Sequence, residues 1–142
     1  MDNKFSSAIH TLILISESEN PITSEDIAHS VGTNASYIRK IIGLLKKKDI
    51  IESRRGVSGF SLKPKAEDLT LLQIYCAVNE TDRPRLFDLH QNSNDECIVG
   101  RHIKPVLTDM FAELEDTFAC ALAEKTLADC INGIRKRLKV EI

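Results

Sequence analysis

Apolar residues recur at helical spacing from the start of the chain. Phe5, Ala8, Ile9, Leu12 and Ile13 fall on one face and predict an amphipathic helix over residues 4–18. Asn20-Pro21 ends it, because proline cannot continue a helix and pushes its predecessor toward extended backbone. Thr23 and Asp26 then stand at the spacing of a capping box and open a short helix through Ile27 and Ala28. Val31-Gly32-Thr33 breaks that helix, with Gly32 suited to a tight turn. Asn34 or Thr33 caps a third helix carrying Ile38, Ile41, Ile42, Leu44 and Leu45, and it closes on Lys46-Lys47-Lys48, where cations complement the helix dipole.

The period then changes. Ile50–Ser53 and Phe60–Leu62 read as two strands around the glycine-bearing turn 54–59, a β-hairpin that Lys63-Pro64 closes. Thr70 caps a helix containing Leu71, Leu72, Ile74, Tyr75, Ala77 and Val78, expected to pack on the first helix. Residues 81–98 have turn composition and no period, which predicts a loop. A long helix follows from about Gly100 to Glu124, with Ile103, Val106, Leu107, Met110, Phe111, Leu114, Phe118, Ala121 and Leu122 as a continuous stripe. Such a stripe exceeds what a small domain covers alone, and a second copy of the chain is the simplest cover. Thr126 caps a last helix through Leu127, Ile131 and Ile134, whose basic end (Arg135, Lys136, Arg137, Lys139) reads as a tail. The expected fold is mainly α with a small β-hairpin wing. Residues 1–80 form a winged helix-turn-helix, 81–99 a loop, and 100–142 a dimerisation helix with a C-terminal helix.

Two short helices joined by a glycine turn, the second with a basic face, form a helix-turn-helix. Ile27, Ala28, Val31, Ile38, Ile41, Ile42 and Leu45 lock the pair against the first helix. Ser36, Tyr37, Arg39 and Lys40 are left outward, where such a helix meets base edges in the major groove. The hairpin that follows is then a wing, with Arg54 and Arg55 at its tip to enter a minor groove or clamp phosphate. A purely structural helical hairpin with solubilising arginines is the alternative. Charge distribution favours the DNA reading. The net charge is −2, yet residues 36–65 hold nine of the 19 basic residues against Asp49 and Glu52 alone. The remainder is correspondingly acidic, an asymmetry that gives phosphates one place to bind.

Other functions find less support. No run approaches the ~20 apolar residues of a membrane span. The opening MDNKFSSAIHTLILIS has no secretory cleavage pattern, so a cytoplasmic location is expected. There is no phosphate-cradling glycine loop, no metal-binding His-Glu pair on a helix and no nucleophile–base set, so an enzyme is not expected. Cys76, Cys97, Cys120 and Cys130 show neither CxxC nor zinc-finger spacing and read as free thiols, with no cofactor or metal expected. Cys76 reads as core. Cys97 is singled out as a candidate redox sensor, in a loop just before the long helix, where backbone N–H groups favour a thiolate. An ordinary loop cysteine is the plainer reading.

These residues resemble the Rrf-two (Rrf2) family of bacterial transcription regulators. The resemblance rests on Thr23-x-x-Asp-Ile-Ala, on Ser36-Tyr37-Ile38-Arg39-Lys40-Ile41-Ile42 with Leu44-Leu45, and on Ser53-x-Arg55-Gly56-x-x-Gly59-Phe60, its most specific part. Asp68-Leu69-Thr70-Leu71-Leu72-x-Ile74 and Lys125-Thr126-Leu127-Ala128-Asp129 extend it over most of the chain. It implies a homodimer crossed through the long helix and a pseudo-palindromic double-stranded DNA operator. It also implies that Ser36, Tyr37, Arg39 and Lys40 lie on the recognition helix and Arg55 at the wing. Iron–sulfur members carry three cysteines before the long helix. Here that loop holds only Cys97, flanked by His90 and His102, so the chain looks like the cluster-free branch. That branch includes redox- and metabolite-responsive repressors. A protein-interaction winged helix, or a regulator answering to a small molecule or metal, is the alternative function.

Overall fold

Local hydrogen bonds decide where the short helices begin. In the computed structural model, which describes residues 3–54 and 59–141, α1 spans Lys4–Glu17, α2 Ser24–Val31, α3 Ala35–Lys47 and α4 Leu71–Val78. At α2 the Thr23 hydroxyl accepts from the Asp26 N–H at 3.2 Å, and the Asp26 carboxylate accepts from the Thr23 N–H at 3.1 Å. The same reciprocal box opens α4, where Thr70 accepts from the Gln73 N–H at 3.2 Å and Gln73 accepts in return at 2.8 Å. Of the two candidates at α3, Asn34 is the cap, accepting from the Tyr37 N–H at 2.8 Å. Gly32 ends α2 in the left-handed conformation at φ 86°, as the tight turn requires.

One aliphatic core follows from these helices. Ala8 and Leu12 of α1, Ile27 of α2, Ile38, Ile41 and Leu45 of α3, and Ile74 and Val78 of α4 are all buried in it. Each fully buried Leu or Ile contributes about 1.5–3 kcal/mol relative to exposure. The hairpin consists of β1 (Ile51–Ser53) and β2 (Phe60–Leu62), paired antiparallel with Ile51 opposite Leu62 and Ser53 opposite Phe60. Val31, expected among the locking residues, is only half-buried. The two long helices are α5 (Ile98–Ala123) and α6 (Leu127–Glu141). The start of α6 is stitched back to the segment before α4: Leu127 donates to the Leu69 carbonyl at 2.8 Å and Leu71 to the Lys125 carbonyl at 2.9 Å. Phe5, Tyr75 and Phe118 stack edge to face in series, with centroids 5.4 and 5.8 Å apart, and so join α1, α4 and α5.

One sequence expectation needs correction. The stripe on α5 is not one face. Leu122 is buried and Leu107, Phe111 and Phe118 are half-buried, whereas Val106, Met110 and Leu114 are each about half exposed and Ala121 is exposed. A helical period records which positions are apolar, not which neighbour covers them. The segment before α5, read as a loop, contains no helix or strand over residues 81–97 and is held in place by its contacts. It runs antiparallel along the helix, with Arg83 paired to Asp116, the Leu86 N–H donating to Glu115 at 2.6 Å, and Lys104 donating to Gln91 at 3.1 Å. Pro84 of this segment is fully buried. At its end Asn94 lies so close to Gly100 that a side chain there would strike the Asn94 carbonyl oxygen. Helix α5 starts at Ile98, two residues earlier than the pattern predicts, and runs through Pro105.

The capping box at α2 has a pH signature. The Thr23 N–H, and then its hydroxyl, hold the Asp26 carboxyl below the usual carboxylate range. A depressed folded-state pKa stabilises above the unfolded value and loses that stabilisation as pH falls through the folded one. The melting-temperature advantage of the wild type over Asp26→Asn is therefore expected to be full at neutral pH and to close in acid. Thr23→Ala, which removes the cap itself, is expected to cost about 1 kcal/mol in denaturant unfolding.

Candidate nucleic-acid interface

The buried side of α3 decides what its other side presents. With Ile38, Ile41, Ile42 and Leu45 turned into the core, Ser36, Arg39 and Lys40 are exposed together. Tyr37 differs from the expectation that it faces outward. Its ring is half-buried, and its hydroxyl donates to the Asn3 side-chain oxygen at 3.1 Å, tying α3 to the start of α1. Arg39 is not free either. Its guanidinium lies 3.3 Å from the Glu25 carboxylate of α2 and donates to the Ser36 hydroxyl at 3.4 Å. Glu25 and Asn3 are partners that the sequence pattern does not reveal. Glu25 is recognisable there only as a first-turn acid, and nothing local connects it with a residue fourteen positions on.

The hairpin places a second cation near this helix. Arg54 is exposed, and its N–H donates to the Gly59 carbonyl at 3.2 Å, closing the neck of the turn. Arg55, the other arginine of the predicted tip, lies outside the described residues. Lys46 at the end of α3 sits 5.3 Å from the centroid of the Phe60 ring, a cation–π contact that joins helix to strand. Lys63 pairs with Asp49 at 3.3 Å, so part of the basic patch is neutralised locally. Lys40, Lys47 and Lys48 are exposed. This arrangement offers exposed donors and cations on one helix and an adjacent ribbon, the groups that read base edges and grip phosphate.

The thiols divide by environment. Cys97 is exposed at the N-cap of α5, and Cys120 is exposed further along the same helix. Cys76 and Cys130 are half-buried, and burial pushes both thiols up from their ordinary value. Cys76, expected in the core, reaches only its margin. All four are free thiols.

Comparison with known proteins gives this arrangement a family. A model of the Rrf2 family, described as an iron-dependent transcriptional regulator, matches residues 1–133. YwnA of Bacillus subtilis (strain 168), named as an HTH-type transcriptional regulator, is 42% identical over 134 residues, covering 94% of this chain and 98% of that protein. A solved crystal structure described as a DNA-binding protein superposes with a TM-score of 0.74 at 39% identity, covering 90% of this chain and 98% of the other. The fold is shared as well by CymR (YrzC), the global cysteine regulator of B. subtilis, with a TM-score of 0.68 at 17% identity over 93% and 95% of the two chains.

The iron in the family's description does not fit this chain's own residues. A cluster held by thiolates takes about four ligands. The segment preceding α5 supplies one, Cys97, and among the described residues no three His, Cys, Asp or Glu side chains gather into a ligand set. Among those residues, too, no helix is long and apolar enough to cross a membrane. The winged helix-turn-helix, its exposed basic helix and the family match over residues 1–133 lead to one statement: this chain belongs to the Rrf2 family of DNA-binding transcriptional regulators and is not an enzyme.

Proposed function

We propose that the chain is a homodimeric repressor that occupies a two-fold symmetric operator. The observation that carries this reading is the two-sidedness of α3, buried through Ile38, Ile41 and Leu45 and exposed through Ser36, Arg39 and Lys40 beside the hairpin. In this account Ser36, Tyr37, Arg39 and Lys40 address base edges, while Arg54 and Arg55 take the adjacent minor groove or backbone. Tyr37 acts partly by anchoring the helix. A chain made of a DNA-reading unit and a pairing helix represses most simply by occupying the promoter. The half-exposed Val106, Met110 and Leu114 of α5 supply the pairing surface. Apolar strips of this kind on an otherwise polar helix mark an interface.

Cys97 is the proposed redox sensor. It is exposed, and it stands where the antiparallel segment turns into α5, so oxidation there alters the start of the pairing helix. A regulator answering to a small molecule is the second reading, favoured by an apolar cavity between α1 and α6.

Binding to DNA upstream of the chain's own gene, followed by fluorescence anisotropy on reduced and mildly oxidised protein, tests the reading. Tight binding that oxidation releases is expected. Arg39→Ala is expected to cost about 1–3 kcal/mol of operator affinity. Arg55→Ala is expected to weaken binding with no change in melting temperature, and wild-type affinity in that variant counts against the wing contact. Cys97→Ser should bind DNA yet ignore oxidant, and a persisting response transfers the sensor role elsewhere. Iodoacetamide at neutral pH is expected to label Cys97 before Cys76 and Cys130, read by mass spectrometry. Met110→Glu should sediment as a monomer, and a stable dimer in that variant rules out the α5 strip as the pairing surface.

A further inference from the structure

Between α1 and α6 lies a cavity of about 330 Å³ to which neither α3 nor the hairpin contributes a wall. Ile13 and Leu14 of α1, Ile22 beyond it, and Ile131, Ile134 and Leu138 of α6 make it apolar. Ile134 and Leu138 remain about half exposed, so the apolar wall is incompletely covered. The volume falls at the lower end of the range for small-molecule sites, about 300–1,000 Å³. At the rim Arg135 donates to both oxygens of the Glu17 carboxylate, at 2.8 and 3.0 Å. These are the cavity's ionic groups. Beyond them α6 exposes Lys136, Arg137 and Lys139, with no acidic residue from 130 to 139. The α6 side of the mouth is therefore basic, while on the lining itself Glu17 offsets Arg135, so the one guanidinium there already holds a carboxylate of its own chain.

We propose that this cavity binds a small amphipathic anion, with an apolar body against Ile22, Ile131 and Leu138 and a carboxylate-like head on Arg135. Glu17 is the internal stand-in that the ligand's head displaces. The site has a route to the hairpin. Ile22 follows Pro21, and Pro21 packs against Gly59, where the backbone has φ 106° and an added Cβ would lie 3.0 Å from the Pro21 Cβ. Gly59 also accepts the bond from Arg54 that closes the turn. A ligand that shifts Ile22 thus presses on the neck of the wing. This coupling to DNA rests on the repressor reading, whereas binding in the cavity does not.

The probe is 8-anilinonaphthalene-1-sulfonate, an apolar ring system with one anionic head, titrated by fluorescence into the full chain. One saturable site per chain is expected, displaced by decanoate and not by decylamine. Exposed ion pairs are worth about 0.2–1 kcal/mol. Glu17→Gln, which frees Arg135, is accordingly expected to tighten the probe by about 1.4-fold to fivefold, and Arg135→Gln to weaken it by about as much. Circular dichroism melts check that both variants fold. Equal affinity in the two variants overturns the proposal, as does loss of the site in Met110→Glu, which would place the probe on α5. Dissociation of a dimer by Ile134→Asp also overturns it, since a second copy then fills the cavity. On operator DNA, decanoate should change the affinity of the wild type and leave Arg135→Gln unmoved. An unchanged wild-type affinity overturns the coupling. A protein that binds the probe and no DNA defeats the repressor reading instead.

Discussion

Burial of one face of α3 is the constraint on which the molecule depends. Ile38, Ile41 and Leu45 recur at three- and four-residue spacing and are shielded by α1, α2 and α4. A helix fixed along one side has no freedom to rotate, so the side chains between those positions are held outward at set angles. Removing Ile41 or Leu45 in favour of alanine would cost roughly 2–5 kcal/mol. That is a large share of the total for a domain of this size. The same residues that fold the domain therefore set the direction of the exposed side chains of α3.

Charge placement adds discrimination to that geometry. The chain is slightly acidic overall, and its acids are used close to its cations: Glu25 beside Arg39, Asp49 beside Lys63 and Glu17 beside Arg135. Pairs this exposed contribute little to stability. Their effect is to orient long side chains and to reduce indiscriminate attraction of phosphate. Arg39 is the clearest case, braced by Glu25 on one side and Ser36 on the other. Lys40, Lys47 and Lys48 are exposed, the kind of unburied cation that general attraction to a phosphate backbone uses.

What the sequence revealed and what it hid divide along the range of the interactions. Thr23 with Asp26, Asn34 at its cap and Gly32 in the turn act within four residues, so their spacing alone located α2 and α3. Two short apolar runs around a glycine turn announced the hairpin, while its register, Ile51 opposite Leu62, came only with the structure. By contrast, the Glu115 carboxylate that receives the Leu86 N–H stands 29 residues away, so turn composition pointed to a loop over 81–98 without showing what holds it. The α5 stripe was also only partly legible, because its period did not separate Phe118, which packs beside Tyr75, from Met110, which is about half exposed. Of the candidate site, Ser36, Arg39, Lys40 and Arg54 stand exposed as the pattern implied. The role of Tyr37 was half visible, since its bond to Asn3 spans 34 residues. The thiol environments could not be read from spacing, because burial at Cys76 and Cys130 is a tertiary property.

The central claim is that a chain of net negative charge binds DNA through a concentrated basic face set by α3 and the hairpin. The most direct test is the dependence of operator affinity on salt. Neutralised phosphates release counterions, so the logarithm of affinity falls linearly with the logarithm of salt, at about 0.9 per phosphate contacted. The account predicts a steep slope, corresponding to several phosphates per chain, that becomes shallower when Lys40 or Arg54 is replaced by alanine. A nearly flat slope, or one that those replacements leave unchanged, would contradict it.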